Sequence, residues 1–192
     1  KKEGMEVEED RIVFYSKSAA GPPGKNKGQG WAERWTAKIP DLLSTGHWRR
    51  LLSNFDDSVP FEFMGFHFNT IEHAFQWAKI NRVDSQKAHT FTRESGSPLG
   101  MGSGSEAQKN RKMVLLSKEQ MDAWNTISLE VMREAAFAKY EQEEDSLPTR
   151  VLRLTGNAEL YHLVTTRGKP SQLVRFHHLE EIRNTLNRFH EL

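Results

Sequence analysis

One edge of a short amphipathic segment carries a carboxylic acid, an amide and an amine, at Glu72, Gln76 and Lys79. Because helical residues advance by about 100° each, these three side chains share one flank, while the apolar residues of the segment share a face. That face is predicted to pack on the core, and it consists of Ile71, Ala74, Phe75 and Ala78. A carboxylate and an amine beside a cleft can accept and donate protons, which is general acid–base chemistry. We therefore predict a helix over 70–79 that aims three polar groups at a cleft bordering the core.

An ordinary structural role competes for Glu72. Asn69 stands three residues before it, which is the spacing of a capping box, where the acid bonds back to the N–H of the capping residue. Helix capping and catalysis both remain open for this carboxylate from the sequence. The neighbouring His73 and Trp77 lie on another flank of the helix, and we expect them to be packing or surface residues.

The composition is that of one domain with a single core: 192 residues, of which 36% are hydrophobic and 28% charged. Residues 1–10 hold five acids against two lysines, and we predict that they form a disordered acidic lead-in to a domain spanning 11–192. The formal net charge of +1 points to no class of partner. With no cysteine in the chain, disulfides, thiolate metal sites and cysteine nucleophiles are excluded. The eight histidines show no metal-like spacing with carboxylates, so we predict neither a metal nor a cofactor.

The apolar stretches bear on localisation. None of them approaches the roughly 20 residues that a membrane-spanning helix needs. The first residues also lack the apolar stretch of a signal peptide, and the absence of cysteine fits a reducing compartment. We therefore expect an intracellular protein, cytoplasmic or nuclear, that does not bind membranes.

Short apolar runs and longer helical patterns alternate along the chain. Residues 61–68 alternate phenylalanine with polar residues around Met64-Gly65, which is typical of a β-hairpin. Ser117 and Gln120 have capping-box spacing at the start of the longest helical pattern. The patterns predict strands at 11–16 and 159–165 and helices at 84–94, 106–115, 118–142, from Pro148 to Gly156, and 178–190. This is an α+β fold, a single compact domain that is mostly helical around a small β-sheet.

Two glycine-rich loops have the composition of anion-binding segments. Residues 21–30 combine glycines and prolines with Lys25 and Lys27, so backbone N–H groups and lysines can meet a phosphate there. A mobile surface loop with solvated lysines is the alternative. Residues 95–105 contain four glycines, whose N–H groups suit a phosphate or a ribose, although a plain connector fits the composition equally.

Several short motifs occur in the order and at the spacing of one known family. They are Phe14-Tyr15-Ser16, Ser53-Asn54-Phe55, Glu72-His73-Ala74-Phe75-Gln76 with Lys79, Met101-Gly102, Trp124 and Val131-Met132-Arg133-Glu134-Ala135. On these residues the chain resembles the NADAR domain, a YbiA-like superfamily named for its proposed link to NAD and ADP-ribose. The resemblance runs from about residue 11 to about residue 190.

The resemblance implies a compact α+β domain that hydrolyses N-glycosides. One branch of the family resembles hydrolases of phosphorylated ribosylamino-pyrimidine intermediates of riboflavin synthesis. Another resembles enzymes that remove ADP-ribose from guanine in nucleic acid. The family's motif acid falls on Glu72, its motif lysine on Lys79 and its pocket tryptophan on Trp124.

The C-terminal part departs from the riboflavin-type branch, which carries an acidic strand followed by a neutral glycine-rich loop. Here Leu160-Tyr161-His162 and the basic Arg167-Gly168-Lys169-Pro170 stand instead. Added positive charge suits a substrate with a diphosphate, such as ADP-ribose. We therefore expect a monomeric hydrolase that releases ADP-ribose from ADP-ribosylated guanine in DNA, RNA or free nucleotides.

Cleavage of an N-glycoside needs negative charge near the anomeric carbon and help for the departing base. The resemblance gives Glu72 the first task, as a stabiliser of the sugar cation or as the base that activates water. Lys79 is expected to protonate the leaving amine or the ring oxygen, or to attack the opened sugar as a Schiff-base nucleophile. Polar side chains would hold ribose hydroxyls and aromatic ones would stack on a base, although aromatic residues also fill cores. The expected substrate-binding residues are Tyr15, Ser16, Lys25, Ser53, Asn54, Phe55, Gln76, Met101, Gly102 and Trp124.

Three alternatives stand beside this hydrolase. The substrate can be the riboflavin intermediate, or the domain can bind ADP-ribose or NAD without cleaving either. The third alternative is a nucleic-acid-binding module in which the tryptophans and basic residues of 31–50 contact the strand. Strongly salt-dependent binding of unmodified strands would mark that module.

Overall fold

The computed structural model of the protein describes residues 11–15, 48–142 and 144–189. The predicted acidic lead-in over 1–10 lies outside these ranges, as do Ser16 and the 21–30 loop with Lys25. The described helices are a 3₁₀ helix (Trp48–Leu52), α1 (Ile71–Asn81), α2 (Ser85–His89), α3 (Gly104–Lys109), α4 (Lys118–Gln142), α5 (Leu147–Leu154) and α6 (His177–Phe189). The described strands are β1 (Arg11–Phe14), β2 (Phe61–Phe63), β3 (Phe66–Phe68), β4 (Glu159–Val164) and β5 (Gln172–Arg175).

The strands form two small sheets. In the larger one, β4 lies at the centre, parallel to β1 and antiparallel to β5. Sequence patterning did not predict β5, because its residues Leu173 and Val174 are exposed and show no alternation of apolar and polar side chains. On the inner side, Phe14 of β1 packs against His162 and Phe176, with ring centroids 5.5 Å and 5.3 Å away.

The second sheet is the predicted hairpin of β2 and β3. Phe61 pairs with Phe68 and Phe63 with Phe66, and the turn is Met64-Gly65. Both turn residues have positive φ, 49° and 87°, which is the geometry of a tight two-residue turn and favours glycine at the second position. The hairpin prediction is therefore confirmed in register and in turn position.

Helix α1 is the central packing element, because it contacts α2, α3 and α4. Its buried apolar residues include Ile71 and Ala74, as predicted, and also Trp77 and Ile80. Trp77 meets the aromatic face of the hairpin, with its ring centroid 5.4 Å from that of Phe68. The packing role expected for Trp77 is confirmed, and the core face of α1 is wider than the predicted stripe.

Helix α4 has the bounds that the sequence predicted, and its capping box is formed. The Ser117 N–H donates to Gln120 Oε1 over 2.8 Å, and the Gln120 N–H donates to Ser117 Oγ over 3.2 Å. The two helices predicted before it are too long. α2 ends at His89 because the chain bends away, and the Arg93 N–H bonds to the His67 carbonyl instead. α3 ends at Lys109, where the following loop begins with turns rather than a helix.

A buried ion pair ties the loop before the hairpin to α4. Lys139 Nζ lies 2.9 Å from Asp56 Oδ2 and also donates to the Asp56 carbonyl over 3.0 Å. Lys139 is 1% exposed and Asp56 5% exposed, so the pair is closed to solvent. Burial lowers the pKa of Lys139, and the charge of Asp56 opposes that shift. The pair fixes the loop that carries Ser53-Asn54-Phe55 to the helix behind it.

The α+β prediction is confirmed: the described residues form one compact, mostly helical domain with small sheets. The core is a single cluster to which the helices, β1, β4 and the hairpin all contribute. Among the helices of the described ranges, none combines the length and the apolar character that crossing a bilayer would take.

Candidate active site

Glu72 lies in the first turn of α1 and is 7% exposed. Its Oε1 accepts a 2.9 Å hydrogen bond from Gln76 Nε2, one helical turn later. Its backbone N–H donates to the Asn54 carbonyl over 3.1 Å, which brings the Ser53-Asn54-Phe55 turn to the start of the helix. Two predicted neighbours therefore hold this residue: Gln76 bonds to its carboxylate and Asn54 to its backbone.

The capping-box prediction for Asn69 and Glu72 is wrong. The N-cap is Thr70, whose Oγ1 accepts from the His73 N–H over 3.1 Å. Asn69 is committed elsewhere, because its Nδ2 donates to the Gly102 carbonyl over 3.0 Å and its Oδ1 accepts from Arg93. Since the cap is provided by another residue, Glu72 has no capping task, and its burial calls for a different explanation.

The pKa of Glu72 is raised above its ordinary value of 4.5. Burial is the main cause, because it disfavours the ionised form, and it outweighs the Gln76 hydrogen bond and the positive charges of Lys79 and Arg111. No basic side chain of the described residues forms an ion pair with this carboxylate. A buried acid with a perturbed pKa and no salt bridge is the kind of group that functional sites contain.

Two amide oxygens of the same neighbourhood have no hydrogen-bond partner among the described residues. Gln76 is 4% exposed, and its Oε1 is buried without a donor, as is Oδ1 of Asn54. The other end of the Asn54 amide is held, since Nδ2 donates to the Met132 sulfur over 3.4 Å. Buried polar atoms are nearly always bonded, and each unbonded one costs about 1–3 kcal/mol. Both oxygens are suited to accept hydrogen bonds from the hydroxyl groups of a ligand.

Lys79 lies about two turns after Glu72 on the same side of α1, about 10 Å farther along the axis. Its Nζ donates to the Arg111 carbonyl over 2.8 Å, which leaves further donors for a ligand. Burial lowers the pKa of Lys79 below its ordinary value of 10.5, Glu72 opposes that shift, and Arg111 adds to it. The charges of Glu72 and Lys79 shift each other's pKa electrostatically, but the two side chains do not form an ion pair.

A cavity of about 270 Å³ opens beside Lys79. It is lined by the amine itself, by two further cations and by apolar side chains, namely Lys79, Arg111, Lys112, Val114, Leu115, Leu116 and Met121. Sequence reasoning did not select Arg111 or Lys112, because it placed them in a helix over 106–115. The available signal was the basic run Lys109-Asn110-Arg111-Lys112, which begins at the last residue of α3 and continues into the loop.

A larger groove, of about 400 Å³, lies between α4 and α6, away from these groups. Of the four acids that line it, Glu130 and Glu181 are exposed and lie 3.4 Å and 3.1 Å from Arg133. Exposed pairs of this kind are solvated and carry little energy. We therefore place the chemistry at Glu72 rather than in the larger groove.

Three other predicted site residues lie near the start of α1 or against it, where they also pack. Ser53 is buried, and its Oγ accepts from the Phe55 N–H over 3.1 Å, so it shapes the turn. Phe55 covers Gly104, where an added Cβ would come within 2.8 Å of the ring carbon Cγ. Trp124 is 4% exposed and packs on Phe75 of α1, with centroids 5.1 Å apart. Trp124 therefore forms part of the wall behind α1.

The sequence left the loop 95–105 open between a phosphate- or ribose-binding segment and a plain connector. The Gly96 N–H donates to the Arg93 carbonyl just before the loop, and the N–H groups of Gly100 and Gly102 donate to acceptors inside it. These three N–H groups are therefore not available to a phosphate. Met101 is exposed, and Gly102 fits closely, since an added Cβ would lie 2.7 Å from the Pro98 carbonyl oxygen.

Two predicted positions bear on the site indirectly. His73 is fully buried and ties the loop to α1 through a 2.8 Å bond from Nε2 to the Leu99 carbonyl, which confirms its packing role. Tyr15 follows β1 and is half-buried, at the end of a strand that pairs with β4. Within the described ranges, no cluster of histidine and acidic side chains could hold a metal ion.

Comparison with known proteins identifies the fold. No model of a known protein family matches the sequence, and no curated protein matches it. Among solved structures, the chain is similar to the NMR structure of the E. coli protein YbiA, with a TM-score of 0.52 and 23% sequence identity. The similarity covers 74% of this chain and 80% of the YbiA chain. The chain therefore has a YbiA-like fold, which agrees with the family resemblance, and at this identity the likeness concerns the fold alone.

Proposed function

We propose that the protein is an N-glycosidase that hydrolyses the bond between ADP-ribose and the exocyclic amine of guanine, releasing ADP-ribose. The observation that carries the proposal is the buried carboxylate of Glu72, which has a raised pKa, no ion pair among the described residues, and a partner amide with an unbonded oxygen. Glycosidases act through such carboxyl groups beside the anomeric carbon.

In the proposed reaction, Lys79 donates a proton to the ribose ring oxygen as the bond from that oxygen to the anomeric carbon breaks. The lone pair of the guanine amine forms a double bond to the anomeric carbon. Glu72 then removes a proton from water while the water oxygen bonds to that carbon. The Glu72 proton passes to the guanine nitrogen. As the bond from that nitrogen to the anomeric carbon breaks, the new hydroxyl becomes the aldehyde carbonyl and its proton returns to Lys79. The ring hydroxyl of the open sugar then adds to the aldehyde, passing its proton to the carbonyl oxygen, and the ring recloses. The sum is the addition of one water molecule across the glycosidic bond.

The pKa values of Glu72 and Lys79 are shifted in the directions that these proton transfers require. A raised pKa makes Glu72 a better base than a solvated carboxylate once it is ionised, and a lowered pKa makes Lys79 a better acid. The unbonded oxygens of Gln76 and Asn54 would accept from the ribose hydroxyls. Buried polar atoms that are bonded only in the complex contribute to discrimination between substrates.

Charge supports ADP-ribose over a substrate with one phosphate. Three cations line the cavity beside Lys79, and the sequence places Arg167 and Lys169 where the riboflavin-type branch has a neutral loop. In the structure those two residues are exposed in the turn between β4 and β5. Guanine as the leaving group follows the branch of the family that the sequence resembles.

The test is direct cleavage of guanine-ADP-ribosylated DNA, RNA and nucleoside, beside the ribosylamino-pyrimidine phosphate, with products separated by chromatography. We expect ADP-ribose from the guanine substrates and a loss of about 10²–10⁴-fold in turnover for Glu72→Gln. The matched control is Glu119→Gln, which changes an exposed acid in the first turn of α4 and should retain full turnover.

If Glu72→Gln turns over the substrate as fast as the wild type, the proposed role of Glu72 is wrong. Binding of ADP-ribose without cleavage of any guanine substrate would identify a non-catalytic reader instead. Cleavage of the pyrimidine substrate alone would return the chain to the riboflavin-type reaction.

A further inference from the structure

We infer that the cavity beside Lys79 is the diphosphate subsite, in which Arg111 and Lys112 bind the phosphates of ADP-ribose. This inference rests on the proposed function and names residues that it does not use. Neither residue belongs to the motifs of the family resemblance. Both come from the loop 110–117 that joins α3 to α4, and the cavity lies between this loop and α1.

The first observation is the convergence of like charges. Lys79, Arg111 and Lys112 line one cavity of about 270 Å³, and no acid of the described residues forms an ion pair with any of them. Burial is the main cause of the lowered pKa of Lys79, the charge of Glu72 opposes it, and the neighbouring positive charge of Arg111 adds to it. A bound phosphate would relieve the repulsion among the three cations by adding negative charge beside them.

The second observation is that two of the three cations, Lys79 and Arg111, are held in place while further donors of each stay available. Lys79 Nζ is fixed by its 2.8 Å bond to the Arg111 carbonyl, which joins the two elements that carry the charges. Arg111 Nη1 donates to the Gln108 carbonyl over 3.0 Å, so the remaining N–H groups of the planar guanidinium can face a ligand. A guanidinium with free donors suits phosphate oxygens, which it binds in pairs.

The third argument is the position of the cavity at the Lys79 end of α1, about two helical turns from Glu72. In ADP-ribose the diphosphate is attached through a methylene group to the ring carbon that flanks the ring oxygen on the side opposite to the anomeric carbon. With Glu72 at the anomeric carbon and Lys79 at the ring oxygen, the diphosphate continues along α1 toward the cavity. The order of groups along the substrate thus matches the order of side chains along the helix.

The apolar wall of the cavity suits the adenosine that is attached to the diphosphate. Leu115 is 79% exposed and Met121 38% exposed, although both are apolar and border the three cations. Cations on one side and aliphatic surface on the other are suited to a nucleotide, which combines phosphates with the flat apolar face of a base. We therefore expect ADP to bind more tightly than ribose 5-phosphate.

The test is calorimetric titration of the full chain with ADP, AMP and ribose 5-phosphate. We expect the wild type to bind ADP, and Arg111→Ala/Lys112→Ala to weaken that binding by roughly 10- to 100-fold. The control is Lys109→Ala, an exposed lysine of the same basic run that does not line the cavity, which should bind ADP as the wild type does. Arg111→Lys keeps the charge but removes the planar guanidinium, so we expect it to lose part of the affinity for ADP. This milder variant provides the test if the double variant does not fold.

The outcomes separate this inference from the proposed function. We expect Glu72→Gln to lose turnover but to bind ADP as the wild type does. If Glu72→Gln is fully active, the proposed function is wrong, and the ADP titrations still test the subsite independently. Unchanged ADP binding by the double variant would overturn the subsite. So would a loss of affinity for an unmodified oligonucleotide with ADP binding unaffected, because the cavity would then take the phosphates of a polynucleotide.

Discussion

Within the part of the chain that the structure describes, two arrangements combine a buried acid with a lysine, and they differ in how completely they are closed to solvent. Asp56 and Lys139 lie 2.9 Å apart, both shielded from solvent, and the amine also bonds to the Asp56 carbonyl. Glu72 and Lys79 lie about two helical turns apart, and each contacts a neutral group of the protein instead, Gln76 or the Arg111 carbonyl. We call Asp56 and Lys139 the closed pair, because their charges neutralise each other. We call Glu72 and Lys79 the open pair, because neither forms an ion pair among the described residues and both can act on a ligand.

This difference separates a structural role from a functional one more clearly than burial does. Lys139 and Lys79 both have a lowered pKa because of burial, so that shift alone does not distinguish them. Their partners do. The closed pair holds the loop of Asn54 against α4, and that loop in turn positions Glu72 through its backbone N–H. The closed pair thus supports the open one.

Breaking the closed pair should have the largest effect on stability. Lys139→Met leaves Asp56 buried without a counter-charge, which costs about 3–5 kcal/mol in the free energy of unfolding. Arg133→Met on the same helix removes only exposed pairs with Glu130 and Glu181, and should cost about 1 kcal/mol or less. Urea unfolding of both variants gives the comparison. Equal losses would mean that the Asp56 pair is not the tie we describe.

Removing the open amine should instead reduce activity with little effect on folding. We expect Lys79→Met to lose about 10²–10⁴-fold in turnover of the guanine substrate and about 1 kcal/mol or less in stability. Wild-type activity should rise with pH as Glu72 ionises and fall as Lys79 loses its proton. Because burial raises the pKa of Glu72 and lowers that of Lys79, both limbs should lie inside the range set by a free acid and a free amine.

The falling limb should disappear in Lys79→Met, since the group that causes it is absent. A pH profile with the same falling limb would assign it to another residue. Borohydride treatment during turnover adds a second check, because a covalent adduct on Lys79 would make it a Schiff-base nucleophile rather than a proton donor.

Local patterns predicted the parts of the fold that local chemistry determines. The Met64-Gly65 turn and the bounds of α4 follow from neighbouring residues, and both are confirmed. Asn69 is a good capping residue by type, yet Arg93 and Gly102 engage its side chain from far along the chain, so Thr70 caps instead. A local sequence pattern cannot show that residues distant in sequence will bind the side chain of Asn69.

The candidate site divides in the same way. Helical periodicity was enough to place Glu72, Gln76 and Lys79 on one edge of α1. The approach of Asn54 to Glu72, and of Arg111 to Lys79, depends on contacts between elements remote in sequence. These contacts arise from packing, so they could be found only in the folded chain.

The smallest expected effect concerns the cost of keeping the open carboxylate buried. Because the folded-state pKa of Glu72 is raised, the folded protein binds more protons than the unfolded chain at pH values just above the ordinary pKa of 4.5. Its contribution to stability is therefore full below that pH and is lost as the pH rises through the folded pKa. Glu72→Gln cannot ionise, so at pH 7 it should be more stable than the wild type by about 1 kcal/mol.

Urea unfolding at a series of pH values tests this expectation, with Glu119→Gln as the exposed control. The stability gained by Glu72→Gln should vanish at acidic pH, where wild-type Glu72 is itself protonated, and the control should show no such pH dependence. A gain that is constant with pH would come from packing rather than from ionisation. In that case the carboxylate would carry no electrostatic cost, and the contrast between the open and the closed pair would have to rest on activity alone.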